Sequence, residues 1–226
     1  MDTTKFGRLL QPLPIPLKTL PNISMDFVES FPKSHGYEVV LVVVNRLIQY
    51  VHFILLSHPF IAAKVAVVFM REVFKLHGMP QSIVSDRDAV FTSNFWAKLF
   101  KLQGTELAMS SAYHPQSDGQ IEVVNQSLEQ YLRAFVGDNP YSWVTWLHLA
   151  KFWLNTNYHT STKLTPYEAL YGFPPPKVLD YIPGTTTVDA VDKVLQTRQD
   201  MLALLKQNLI STQARMKLQA DQHRDE

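Results

Sequence analysis

The 226 residues contain no cysteine. That excludes disulfides and any cysteine-ligated zinc site, and it fits a reducing compartment. No run of about 18 apolar residues occurs, so no membrane-spanning helix is expected. The opening residues, Met1 to Leu10, lack the charged flank and apolar stretch of a secretion signal. Basic excess is missing too: 21 Lys and Arg stand against 20 Asp and Glu, a net charge of +1. A protein that grips nucleic acid unaided carries a basic stripe. This chain is therefore expected either to touch nucleic acid weakly or to rely on basic segments elsewhere in a longer protein. No Lys/Arg run of the nuclear-import kind is present. Apolar material, by contrast, is plentiful. At 46% hydrophobic and 12% aromatic residues, the chain can bury a core, and pervasive disorder is excluded.

Hydrophobic periodicity divides the chain. Residues 1–21 carry Pro12, Pro14, Pro16 and Pro21 and read as an extended lead-in. Residues 23–28 alternate as a strand, with Ile23, Met25 and Phe27 on one face and Ser24 and Asp26 on the other. Residues 39–44 are a continuous β-branched and leucine run, the mark of a strand buried on both faces. Residues 50–56 follow closely enough to form an antiparallel hairpin with it. Residues 61–77 read as a helix stopped by Gly78 and Pro80, and residues 82–85 as a short strand that delivers Asp86. A helix over 93–103 is expected to be capped by Thr92 or Ser93 and to bury Phe95, Leu99 and Leu102. A fifth strand spans 105–109.

A polar loop over 110–119 then leads into a helix from Gln120 to about Val136, with Asp118 as its cap and Glu122 in its first turn. Its apolar face is expected to be Ile121, Val124, Leu128, Leu132 and Phe135, leaving Asn125, Gln126, Glu129 and Arg133 on the side of Glu122. A tryptophan-rich helix covers 142–155, and Thr165-Pro166 opens a short one. This order predicts an α/β domain with a mixed five-stranded sheet flanked by helices. It closes at 176. A linker over 177–189 and a helical extension over 190–226 follow, the latter with Leu195, Leu202, Leu209 and Met216 recurring every seven residues.

Three acidic residues occupy unusual places. Asp26 interrupts an apolar strand, where aspartate is depleted. Asp86 ends another strand, and Glu122 opens a helix. Taken singly, a strand-end aspartate most often caps a turn, and a glutamate in a first helical turn usually answers the helix dipole. Taken together, strand ends and helix starts on one edge of an α/β sheet gather into a common site. Three carboxylates so gathered repel one another, and a hard divalent cation, Mg²⁺ or Mn²⁺, relieves that cost. Other chemistry-bearing residue types read as structural. Trp96, Trp143, Trp146 and Trp153 are spaced like packing residues. His52, His77, His148 and His159 show no paired ligand spacing, which argues against zinc. Lys98, Lys101, Lys151 and Lys163 are scattered as surface lysines are.

The local wording is more specific. Ile-Ser-Met-Asp-Phe at 23–27 is the first segment. Ser-Ile-Val-Ser-Asp-Arg-Asp at 82–88, with Phe91-Thr92, is the second. His-Pro-Gln-Ser-Asp-Gly-Gln-Ile-Glu-Val-Val-Asn at 114–125 is the third. Together they resemble the three signature segments of integrases from gypsy-type long-terminal-repeat retrotransposons, within the retroviral integrase superfamily. Leu-Thr-Pro-Tyr-Glu-Ala-Leu-Tyr-Gly at 164–172 resembles the segment that closes that family's core, and 35 residues separate Asp86 from Glu122 as in these enzymes. The resemblance implies a ribonuclease H-like catalytic core over 22–176. It implies a metal-dependent polynucleotidyl transferase with endonuclease activity, which trims the 3′ ends of transposon DNA and joins them to target DNA. Asp26, Asp86 and Glu122 match the catalytic, metal-holding positions, with Mg²⁺ or Mn²⁺ as cofactor. Asp88 falls in the neighbouring loop. Tyr113, His114, Gln116 and Asn125 match positions that contact DNA. The implied partners are transposon ends, target DNA and further copies of the chain, in the nucleus, with neither a membrane nor a small-molecule substrate.

Departures qualify that expectation. Asn45 stands where the family commonly has aspartate, and Val123 where arginine commonly follows the glutamate. The histidine/cysteine zinc module that precedes the family's core and the small β-barrel or chromodomain-like module that follows it are expected to be absent. Two alternatives therefore stay open: a non-catalytic, transposon-derived protein that binds nucleic acid or a partner, and a ribonuclease H-type hydrolase of RNA–DNA hybrids.

Overall fold

The sheet is organised around the strand with the densest apolar run. β2 (Val39–Asn45) is buried along its whole length, because both of its faces are covered. Val39, Leu41 and Val43 join one hydrophobic cluster, and Val40, Val42 and Val44 join a second on the opposite face. Burying each such side chain stabilises the fold by about 1.5–3 kcal/mol, so this one strand contributes to both halves of the core. The structure, a computed structural model, describes residues 22–109, 115–137, 139–160, 162–176 and 182–193, with positions 195, 196, 200, 203 and 207 and without the side chains of 115–118.

β1 (Asn22–Val28) and β3 (Val51–Leu56) flank β2 antiparallel. β4 (Ser82–Ser85) runs parallel to β1, and β5 (Glu106–Met109) parallel to β4. The sheet order is β3-β2-β1-β4-β5, the mixed five-stranded arrangement expected from the sequence. One layer carries α1 (Ala62–Phe69), which continues through a π-helical turn at Met70–Phe74 into α2 (Lys75–His77), together with α3 (Asn94–Leu102). The other carries α4 (Pro115–Val136) and α5 (Trp143–Thr156). A short α6 (Pro166–Tyr171) is closed by a capping box between Thr165 and Glu168, the reciprocal pairing that satisfies two orphan helix donors.

Two expectations are corrected. On α3, Ser93 is the N-cap, accepting from the Trp96 N–H at 3.2 Å, but the buried stripe is Trp96 and Phe100. Leu99 is only partly buried, and Phe95 and Leu102 face solvent, Leu102 at 83% exposure. Two candidate apolar stripes run along this helix one position apart, and the buried one is the aromatic pair, with Phe100 against Phe69 of α1 and Trp96 against Phe91. On the other layer, α4 begins at Pro115, five residues before the expected start. Proline suits the first helical position, since its missing N–H would be unbonded there anyway. Asp118 thus lies within the helix rather than capping it, and Glu122 is its eighth residue rather than part of its first turn. Residues 1–21, residues 177–181 of the expected linker, and Leu202, Leu209 and Met216 of the extension lie outside the described residues; residues 189–193 are helical.

Candidate active site at the ends of two parallel strands

Strand register brings the first two acidic residues together. Met25 pairs with Ser85 across the parallel β1–β4 ladder, so Asp26 and Asp86 are the next residues along two neighbouring strands. Such strands lie about 4.8 Å apart. Asp26 sits in the middle of β1 for its antiparallel partner, opposite Val42, yet at the point where the short β4 has ended. This is how an aspartate within one strand and an aspartate after another reach the same level. The alternation of β1 aims Asp26 at the layer formed by α4 and α5, the side opposite Met25 and Phe27.

Asp26 is half-buried and held by both oxygens. Its Oδ1 accepts from the Phe27 N–H at 2.9 Å, and its Oδ2 accepts from Asn125 Nδ2 on α4 at 2.7 Å. Hydrogen bonds to a charged group are the strong ones, and this one fixes α4 against β1 at the site. Asn125 therefore faces the sheet rather than the solvated side of α4, which corrects the helical-wheel expectation. Its Oδ1 is buried without a hydrogen-bond partner among the described residues, as is Ser24 Oγ on the same face of β1. Glu122 precedes Asn125 by three positions and so shares its face of the helix; it is exposed.

Asp86 is exposed, and its Oδ1 accepts from the Asp88 N–H at 3.1 Å, the local turn that aspartate forms with a backbone two residues on. Asp88 shapes the same loop. Its Oδ1 accepts from the Val90 N–H at 2.7 Å, and its carbonyl accepts from Thr92 Oγ1 at 3.0 Å. That leaves Asp88 a loop-building role. Asp26, Asp86 and Asn125 are thus brought to one end of the sheet with Glu122 one helical turn away. No group of three or more acidic or histidine side chains is close enough to hold a metal ion among the described residues. Tyr113 and His114 lie outside the described residues. Gln116 falls in the first turn of α4 rather than in a loop, with its side chain outside the description.

The donors nevertheless suit a hard divalent cation. Two carboxylates on adjacent strand ends, a third on the facing helix and a buried amide oxygen without a partner are all oxygen ligands of the kind Mg²⁺ and Mn²⁺ prefer.

Spacing in the sequence gave no hint of one further cluster. His52 on β3 and His77 at the end of α2 bring their Nε2 atoms to 2.8 Å, and Lys151 Nζ on α5 stands 3.4 Å from His52 Nδ1. The two rings share a hydrogen bond, a contact separate from the ligand spacing that the sequence reading found missing. They are 25 residues apart and on different elements, so only the fold reveals it. Burial, with the nearby charge of Lys151, pushes His52 down to about 3.

This architecture defines a class: the ribonuclease H-like fold of retroviral integrase catalytic cores. A chain of the simian T-cell lymphotropic virus intasome superposes with a TM-score of 0.59 at 18% identity, over 79% of this chain and 65% of that one. The catalytic core of HTLV-2 integrase, solved with magnesium in a trimeric form, gives 0.54 at 17% identity over 68% and 97%. The catalytic core of bovine immunodeficiency virus integrase gives 0.51 at 24% over 65% and 91%. In sequence, the chain is similar to the transposon Tf2-3 and Tf2-4 polyproteins of Schizosaccharomyces pombe, at 29% identity over 208 residues. That match covers 92% of this chain but only 16% of the length of those relatives. No family model matches. The chain thus shares the fold of integrase catalytic cores and is similar in sequence to part of these transposon polyproteins.

Proposed function

We propose that the chain is the catalytic core of a metal-dependent integrase of gypsy-type transposon lineage. It would process the 3′ ends of element DNA and join them to target DNA, with residues 22–176 as the catalytic unit and the nucleus as its place of work. The observation that carries the reading is the parallel register that sets Asp26 beside Asp86, with α4 tied to Asp26 through Asn125.

Asp26, Asp86 and Glu122 would hold the cation. When bound, it activates the attacking oxygen and offsets charge at phosphorus. In end processing, water's oxygen would bond phosphorus as the P–O3′ bond to the retained strand breaks, so the departing nucleotides carry away the phosphate and the element end keeps a 3′-hydroxyl. In strand transfer that hydroxyl attacks a target phosphodiester in the same way. The chain's own residues orient the reaction. The Phe27 N–H and Asn125 hold Asp26 in one rotamer, the Asp88 N–H fixes Asp86, and Glu122 swings from solvent to complete the set. Tyr113, His114 and Gln116 would meet DNA, and further copies of the chain would assemble on it.

The test is resolution of a branched DNA by the purified chain with Mn²⁺. Activity is expected, falling at least about a hundredfold in Asp86→Asn, by analogy with losses of metal-site residues. No activity in the unsubstituted chain, or activity unchanged by Asp86→Asn, overturns the reading. The exposed position of Glu122, outside any gathered acidic trio among the described residues, favours a second reading, a non-catalytic DNA-binding protein. It requires DNA binding without divalent metal that survives Glu122→Gln, and metal-dependent cleavage lost in that variant rejects it. Cutting a hybrid in preference to a DNA duplex would instead identify a ribonuclease H-type hydrolase.

A further inference from the structure

On the far side of β2 from Asp26, between β3, α5 and the π-helical turn, lies a cavity of about 360 Å³ lined by Tyr37, His52, Arg71, Glu72, His148 and Lys151 among apolar strand residues. Lys151 is its polar anchor. An ammonium only donates, so His52 Nδ1 must accept and its proton must sit on Nε2, from where it is given to His77 Nε2. Both imidazoles are then neutral, and Lys151 brings the only positive charge of the trio.

That charge is poorly compensated. Lys151 is half-buried, and desolvation lowers its pKa despite the attraction of Glu72. Glu72 is engaged by Arg71 Nε at 2.7 Å, and that pair is the only ion pair within salt-bridge distance among the described residues. Lys151 makes one hydrogen bond there, to His52, so two of its three N–H groups are available to a ligand. Arg71, His148 and Tyr37 line the same space beside Glu72, and each of the three carries a side-chain N–H or O–H able to donate. A half-buried cation with no carboxylate within salt-bridge distance among the described residues is costly, and an oxyanion in the cavity would offset that cost with charge-assisted hydrogen bonds.

We propose that this cavity is an anion site, separate from the carboxylates, that takes a small tetrahedral oxyanion of the phosphate class. Several convergent donors suit a phosphate, whose three or four oxygens can each accept, better than a planar carboxylate.

The test uses the full 226-residue chain in EDTA, so that no divalent cation can recruit phosphate to Asp26 and Asp86. Thermal unfolding and calorimetric titration with inorganic phosphate are compared with sodium chloride at equal ionic strength and with sodium acetate. Saturable stabilisation by phosphate beyond that of chloride is expected, with weaker or no response to acetate. Affinity should fall about tenfold in Lys151→Met, which keeps the aliphatic stem, and less in Arg71→Gln. It should be unchanged in Asp86→Asn. Should Lys151→Met not fold, the ¹⁵N shifts of the His52 ring in the unsubstituted chain provide the second readout and must move with phosphate occupancy. A response equal to chloride, one retained in Lys151→Met, or ring shifts indifferent to phosphate overturns the proposal. Acetate binding tighter than phosphate overturns the assignment of class. None of these outcomes depends on integrase activity.

Discussion

Asp26 owes its place to two opposing energies. A carboxylate half-removed from water costs free energy unless it is hydrogen-bonded, and here the Phe27 N–H and Asn125 Nδ2 supply the bonds. Removing the amide by Asn125→Ala leaves Asp26 Oδ2 without that donor. Stability is expected to fall by about 1–3 kcal/mol, the range for hydrogen bonds to charged groups, measured by urea unfolding. The same change frees the Asp26 rotamer, so branched-DNA resolution should drop about ten- to a hundredfold. Loss of stability with full activity would leave Asn125 a purely structural tie. The meeting of Asp26 and Asp86 at one level of the sheet was legible in the sequence, because each was placed within or at the end of a strand. The Asn125–Asp26 bond was not. A helical wheel grouped Asn125 with the solvated residues, and only the docking of α4 on β1 turned it inward. His52 and His77 were missed for the same reason: 25 residues and two elements separate them.

At the scale of elements, the legible parts were those where one periodicity has no rival. All five strands were visible because β-branched runs and strict alternation leave little choice of face. α3 shows the opposite case. Phe95, Leu99 and Leu102 form a plausible stripe, and so do Trp96 and Phe100, one position on. Tertiary packing decided for the second, placing Trp96 and Phe100 at 0% exposure against Phe91 and Phe69. The consequence is a sharp contrast between neighbours. Phe100→Ala should destabilise by about 3–5 kcal/mol, the usual cost of deleting a buried aromatic ring. Leu102→Ser should stay within about 0.5 kcal/mol, as surface substitutions do. Chemical denaturation of the two variants checks both, and comparable losses would return α3 to the face read from the sequence. A smaller contrast applies at α6, where Thr165→Ala removes the capping box and is expected to cost about 1 kcal/mol.

On the scale of the whole molecule, the two helical layers meet around the open edge of the sheet. β3 is that edge. Asn155 of α5 accepts from the Val51 N–H at 2.8 Å and donates to the Val51 carbonyl at 3.0 Å, occupying backbone groups that would otherwise invite another strand. Beside it, Lys151 of α5, His52 of β3 and His77 of α2 form a chain of hydrogen bonds from one layer to the other. Groups facing this chain from the packed elements are Tyr50, whose phenol burial pushes up from its ordinary range, Tyr171, Arg71, His148, and Glu72, whose charge acts on Lys151. The tie works only with both imidazoles neutral. Burial lowers both histidines in the folded chain, His52 to about 3, whereas an unfolded histidine titrates near about 6.5. Below that pH the unfolded chain binds more protons than the folded one, so stability is complete above it and falls as the pH drops towards the folded values. His52 alone contributes a slope of up to about 1.4 kcal/mol per pH unit over that window. Urea midpoints at pH 7.5, 6 and 5 should therefore fall steeply in the unsubstituted chain and less steeply in His52→Gln, which cannot take up the proton in either state. The difference between the two profiles isolates this histidine from the carboxylates that titrate in the same range, and parallel profiles would show that the layers are held at this edge by Asn155 and the apolar clusters without help from the histidine chain.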